Sequence, residues 1–407
     1  MKRMTREERA SRMATIRRVL RYLRRYWPLM ALSLALAAGL IAGCRTEGPA
    51  QEPPPDGTAM QSATDAPEAA APTDAPQEAA ERQITDMAGR TVTVPAAGEI
   101  ESVFSTGSVS AIFLYMAAPD KLLGWNYELN DIEKAIILEE YHDLPNFGMG
   151  DAVNYEAVIA ANPTIAVNCG TINDAMISDC DALTEKLGIP VVAVDSDLNN
   201  SAAAFRFLGE LLGAEEQCEQ MAAYAEALFA DVAALAEIPE EERVRVYYGN
   251  GEDSLETAPR GSAHAQILDM VSAVNVADLE LGDGSRVQIS AEQLLAWDPD
   301  VIVVNGEPKA DLSGGSAADA ILNDPDYATL KAVQQLKVYG TPNAPFSWID
   351  RPPGPNRLIG IRWFSALLYP EYLDCNVEDE VRAFFSLFYH TDLSDEKLEK
   401  LLNGTLP

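Results

Sequence analysis

The sequence predicts an α/β fold of two lobes joined by a single long helix. Three observations carry that expectation. Strand and helix signals alternate from about residue 83 to 200, a long helical stretch then interrupts them, and the alternation resumes after Pro239. In order, residues 83–95 read as a hairpin turning at Ala88-Gly89, and 101–105 as a strand backed by a helix over 109–117. A short strand is expected at 121–125. A helix over 154–162 stops at Pro163 and feeds a buried strand at 164–168. The helix over 174–187 ends at Gly188 before a strand at 191–194. Asn200 or Ser201 caps the next helix, which Gly213 ends. The long helix spans 214–236, with Met221, Tyr224, Leu228, Val232 and Leu235 on one face. The second lobe then offers strands at 244–248, 301–305 and 335–339. Its helices are expected at 264–271, 291–297, 317–322 and 356–369, with closing helical segments over 377–402.

What precedes the first lobe is of another kind. A basic segment with Lys2, Arg17, Arg18, Arg21, Arg24 and Arg25 leads into an uncharged apolar run, 27–43. Basic, apolar and then small residues at a cleavage point describe a secretory signal, 1–43. Ile41-Ala42-Gly43 before Cys44 resembles the lipobox of bacterial lipoproteins, which implies a lipidated Cys44 and an extracytoplasmic, membrane-tethered protein. The alternative is an uncleaved anchor, although 17 apolar residues lie at the short edge of a span. Residues 44–82 are rich in Pro, Ala, Thr and Glu and nearly devoid of large apolar side chains, as in a disordered tether. The expected domains are therefore a signal (1–43), a tether (44–82), a first lobe (83–213), an interlobe helix (214–238) and a second lobe (239–407).

Of 30 basic and 63 acidic residues, 10 and 2 fall within 1–43, which leaves 20 against 61 beyond it. That balance excludes a nucleic-acid partner, whose phosphates demand Lys and Arg. The chain beyond Cys44 has four cysteines, Cys169, Cys180, Cys218 and Cys375, without zinc-like spacing. Cys169 and Cys180 either pair or stay free as small buried hydrophobes. Only three histidines exist, none close to another, so a bare divalent metal ranks low as a ligand.

Several segments resemble the class III, or helical-backbone, substrate-binding proteins of ABC importers. Ile84-Thr85-Asp86-Met87-Ala88-Gly89-Arg90-Thr91-Val92 is similar to the family's first hairpin. The run from Asn154-Tyr155-Glu156 to Asn162-Pro163 resembles the helix entering a first-lobe strand. Its second-lobe counterpart runs from Ser290-Ala291-Glu292 to Asp298-Pro299-Asp300 and into Val301. Arg351-Pro352-Pro353-Gly354-Pro355-Asn356-Arg357 resembles a C-terminal signature of an iron-complex branch. The likeness covers about residues 83–390. It departs at Asn162-Pro163-Thr164, where Lys-Pro-Asp is usual, and at Ser272-Ala273, where Gly-Gly is common. It implies two Rossmann-like lobes, no intrinsic cofactor, a monomer, and a partnership with a permease dimer and its ATPase. The implied ligand is an iron(III)-siderophore, haem or cobalamin-type complex. Glu156 and Glu292 match the positions that meet permease arginines in such proteins.

Ligands meet open α/β lobes at the carboxyl ends of the strands. The loops expected there hold Ser108, Trp125, Tyr127 and Asn168 in the first lobe, and Tyr248, Arg260, Ser262, Trp348 and Arg351 in the second. Aromatics cover a flat chelate, and Arg grips carboxylate or oxyanion oxygens. Each has a plainer role available: Trp125 and Trp348 as core, Arg351 as a brace for Pro352-Pro353, and Arg357 as a structural group at a helix start. Of Tyr247 and Tyr248, one should face core and the other loop or solvent. An oxyanion such as molybdate would instead use Arg260, Ser262 and backbone N–H groups. No Gly-x-Ser-x-Gly elbow or P-loop is present, and Gly-Asn-Gly at 249–251 lacks the continuation of a dinucleotide fingerprint. A binding protein is therefore expected rather than an extracytoplasmic enzyme, with a non-transport sensor on the same fold as a third reading.

Overall fold

The computed structural model describes residues 81–251, 253–280, 286–305, 316–373 and 375–406. The expected signal peptide, Cys44 and nearly all of the tether lie outside them. Strands β1 (Glu81–Thr85) and β2 (Thr91–Pro95) form the antiparallel hairpin. Asp86, 3% exposed, accepts from the Arg90 side chain (2.9 Å) and from the Ala193 N–H (3.1 Å), and so ties the turn to the first lobe.

The first lobe is a parallel sheet of β3 (Val103–Ser105), β4 (Ile165–Gly170) and β5 (Val191–Asp195). Between β3 and β4 the chain forms α1 (Ser108–Ala117), α2 (Asp131–Lys134) and α3 (Tyr155–Ala161), and α4 (Asp174–Leu187) links β4 to β5. The strand expected at 121–125 is absent. Pro119–Lys121 is a 3-10 turn, and only isolated bridges at Leu122 and Trp125 follow. β4 also decides the cysteine question. Asn168 points toward Cys180, while Cys169 is on the opposite face beside Ser110, so the sheet separates two free thiols. Burial pushes the Cys169 thiol up to about 12.

Helices α5 (Ser201–Leu212) and α6 (Glu215–Val232) carry the chain from the first sheet to the second, turning at Gly213 (φ 73°). Their close packing needs Gly209, where a Cβ would lie 2.8 Å from Cys218 Cβ. The second lobe follows, in chain order, as β6 (Arg245–Asn250), β7 (Glu256–Thr257), α7 (Gln266–Met270), β8 (Val274–Asn275), β9 (Val287–Gln288), α8 (Ala291–Trp297), β10 (Val301–Asn305), α9 (Ser316–Asn323), α10 (Lys331–Gln334) and β11 (Val338–Gly340). Its strands form one sheet in the order β11-β10-β6-β7-β9, with β8 also on β6. Sequence reading missed the two-residue strands β7, β8 and β9, which are too short to leave a pattern. Tyr247 and Tyr248 are both fully buried, against expectation, because both faces of β6 are covered.

The internal repeat is structural. α3 and α8 each start at a capping side chain, Asn154 or Ser290, and end in a left-handed residue, Asn162 (φ 52°) or Asp298 (φ 42°). Each then feeds a buried parallel strand. The chain closes with α11 (Leu358–Leu368), α12 (Val377–Phe388) and α13 (Asp395–Leu402). This end returns to first-lobe elements: Thr391 Oγ1 donates to Ile136 O (2.9 Å) and Lys397 Nζ to Ala135 O (2.6 Å). Further on, Gly340 N donates to Gly404 O (2.9 Å), back on the second sheet.

Candidate functional site: a polar cleft between the lobes

The loop 341–357 after β11 builds much of the site, and it is buried rather than solvated. Asn356 Nδ2 donates to Ser347 O (2.7 Å) and Trp348 Nε1 to Ala344 O (3.2 Å). α11 can press against this loop because Gly360 has no Cβ; one there would overlap the Trp348 carbonyl. The loop thereby fixes Asp350, which is fully buried and bonded to His264 Nδ1 and to Arg286 Nη2. Tyr248 Oη also approaches it, at 3.4 Å. Burial pushes the Asp350 carboxyl up, but His264 and Arg286 outweigh it and hold the group below its ordinary value. Arg286 is thus anchored from behind.

In front of Arg286 lies a cavity of about 470 Å³. Asn130 and Glu133 wall it from the first lobe; Asn250, Glu256, Arg286, Asn305, Asn343, Phe346, Ser347 and Arg351 wall it from the second. Asn250 is 1% exposed, and its Oδ1 accepts from Asn305 Nδ2 (3.1 Å). Among the described residues, Asn250 Nδ2 and Arg286 Nε are buried donors without an acceptor. A smaller cavity of about 290 Å³ adjoins Thr171, Ser196 and Asp197 of the first lobe and Ser262, Gln266 and Arg357 of the second. Arg357 donates to Ala263 O (2.8 Å) and Gln266 Oε1 (3.2 Å), and Gln266 Nε2 reaches Asp197 Oδ1 (3.3 Å). Burial lowers the Arg357 pKa to about 10, against the pull of Asp350 and Asp197. The structural role expected of Arg357 is there, yet the same side chain also lines the smaller cavity.

The anticipated set is therefore divided. Arg351 is in the larger cavity and Ser262 in the smaller. Tyr127 reaches the larger cavity only through Glu133, to which its hydroxyl donates (2.8 Å). Asn168 lines a separate hollow with Thr106, Asp179 and Lys186, between α3 and α4. Ser108 is half-buried at the start of α1, and Arg260 is exposed with Nη2 3.4 Å from Asn275 O. Trp125, Tyr248 and Trp348 are corrections: all three are core. Trp125 donates to Tyr141 O (2.8 Å) and packs on Tyr115. Trp348 packs on Phe385. Arg286, Asp350 and Asn250 were missed. Arg286 follows a stretch without periodicity, and an Asp or Asn before the fold is known looks like any other.

With this two-lobe geometry in place, the profile of the family described as periplasmic binding protein matches residues 106–345. The chain belongs to that family. It is a class III member, and the family serves ABC transporters as solute-binding proteins. Among solved structures, an ABC transporter solute binding protein from Sulfurospirillum deleyianum superposes with a TM-score of 0.69 at 28% identity. The alignment spans 79% of this chain and 98% of that one. A periplasmic solute binding protein from Veillonella parvula gives 0.64 at 23%, over 80% and 97%. The Haemophilus influenzae molybdate binding protein gives 0.59 at 23%, over 77% and 99%. These last two likenesses speak for the fold. No curated protein matches the chain significantly. Among the described residues no helix is long and apolar enough to cross a membrane, and no group of three metal-ligating side chains occurs. In this binding protein, Glu156 and Glu292 are both exposed in the first turns of the equivalent helices α3 and α8.

Proposed function

We propose that this binding protein, lipid-anchored through Cys44 on the extracytoplasmic face, captures an anionic iron(III) chelate in the larger cavity and delivers it to an importer. The observation behind the reading is a pair of buried donors on residues that line the cavity, Asn250 Nδ2 and Arg286 Nε, which have no acceptor among the described residues. A buried unsatisfied donor costs about 1–3 kcal/mol, which oxygen acceptors on a ligand would recover. Arg286 and Arg351 supply charge for carboxylate or hydroxamate oxygens. The volume of about 470 Å³ suits part of a chelate better than a lone tetrahedral ion. Haem and corrinoids drop in rank, because the aromatic wall that would cover them is core.

Calorimetric titration with a carboxylate-bearing iron(III) hydroxamate, haem, cobalamin and molybdate tests this. Binding of the hydroxamate supports it. Binding of molybdate alone would replace it with the oxyanion reading.

Glu156 and Glu292 are proposed to dock the two lobes onto two permease subunits. A Glu at a helix start is already favourable by roughly 0.3–1 kcal/mol, so helix stability alone accounts for its presence. The docking role is separable from it. The Glu156→Lys/Glu292→Lys variant is expected to lose uptake while retaining ligand affinity, and normal uptake would reduce both to helix-start acids.

A further inference from the structure

Glu133 is on the first-lobe wall of the larger cavity and is 5% exposed. Its Oε1 accepts from Tyr127 Oη (2.8 Å) and its Oε2 from the Asn130 N–H (2.8 Å). Among the described residues no cation pairs with it, whereas Asp350 has two. Burial pushes the Glu133 carboxyl above the ordinary carboxylate range, and those two hydrogen bonds only partly oppose the shift. An ionised carboxylate has about four lone-pair positions, so about two remain for a ligand. A buried carboxylate without a positive partner is costly, and a cation in the cleft would relieve that cost. The opposite wall carries Arg286, Arg351 and the Asn250 amide. Glu256 is on that wall too, but it lies 3.8 Å from Arg286 Nη1, so the cavity sets an acid with no cation beside it on the first-lobe side against two arginines and one paired acid on the second.

We propose that Glu133 is a specificity-determining residue that selects a zwitterionic chelate, with anionic oxygens toward Arg286 and Asn250 and a protonated amine toward Glu133. The inference rests on the chelate reading above and narrows its class. A bare oxyanion has nothing to offer Glu133 and is repelled by it. The competing role is purely local. Asn130 and Glu133 form a reciprocal capping box at the start of α2, which a Gln would also complete. Capping alone makes no distinction between ligands.

The test uses the intact protein and two iron(III) chelates of one linear trihydroxamate. The first bears a carboxylate at one end and an ammonium at the other; the second is the same chelate with the amine acetylated. Acetylation is expected to weaken binding to the native protein by about tenfold or more, the equivalent of one charge-assisted hydrogen bond. The Glu133→Gln variant should discriminate between the two by less than about twofold, through loss of affinity for the ammonium form. Equal affinity of both chelates for the native protein overturns the proposal and leaves the chelate reading standing. So does an equal loss for both in a Glu133→Gln variant that melts normally. If neither chelate binds, the chelate reading fails and takes the proposal with it. Should the variant not fold, the two native titrations decide alone.

Discussion

Asp350 and Glu133 are both buried acids at one cleft, and their surroundings drive them in opposite directions. Asp350 has His264 and Arg286 beside it, so its folded pKa is below the unfolded one. Its contribution to stability is present above the ordinary carboxylate pKa and is lost as pH falls through the depressed value. Asp350→Asn should cost about 3–5 kcal/mol by taking the buried counter-charge from Arg286 and leaving it only the more exposed Glu256, 3.8 Å away. It should also remove part of the acid sensitivity seen in urea melts. Glu133 has the reverse sign. Its folded pKa is raised, so ionising it lowers stability as pH climbs from the ordinary carboxylate range through the raised value. Glu133→Gln should flatten that decline, and an unchanged pH profile would contradict the assignment. Sequence reading found neither residue. It placed Trp125, Tyr248 and Trp348 on the cleft because they follow or end strands, where ligand loops are expected. The loops here are themselves buried, since their polar backbone is satisfied internally, as by Asn356 on Ser347 O. Arg351 and Ser262, which line the two cavities, were legible because a cation and a hydroxyl beside Pro- or Gly-rich turns stand out against their neighbours.

At the level of elements, the legible parts were those with periodicity or a cap. α4, α6, α8 and β10 are where hydrophobic spacing, Gly188 and the step at Pro299 put them. The paired helices α3 and α8 showed through because both carry the same helix-Pro-strand order. The site loop did not, because its course depends on α11 approaching at Gly360. Gly360→Ala forces the Trp348 carbonyl away and should cost about 1–3 kcal/mol, as overpacking does. It should also weaken chelate binding, since Asp350 and Arg351 move with the loop. Gly209→Ala offers the contrast. It crowds α5 against α6 at Cys218, far from the cleft, and should lower the melting temperature while sparing affinity. Equal ligand affinity in both variants would show that the 341–357 loop does not govern the site.

For the whole molecule, the sequence anticipated one rigid helical link between lobes. The structure adds a second tie, the C-terminal segment bonded at Ile136 and Ala135 on one side and at Gly340 on the other. Two ties leave little room for hinge opening, so small-angle scattering should register only a slight fall in radius of gyration on saturation. The chain carries a net charge of −33, yet the cleft presents Arg286 and Arg351. The amine-acetylated chelate, which has a net negative charge, is therefore repelled at long range and held at short range. Its association rate should rise with added salt, opposite to a steered encounter. Asn250→Asp asks whether donors lining the cleft hold anionic oxygens. The substitution keeps the shape and the Oδ1 that accepts from Asn305, and it exchanges the unpartnered Nδ2 donor for a charged oxygen. Calorimetry with the carboxylate-bearing iron(III) hydroxamate should show affinity falling by about tenfold or more in a variant that still folds, whereas native affinity in that variant would contradict the account.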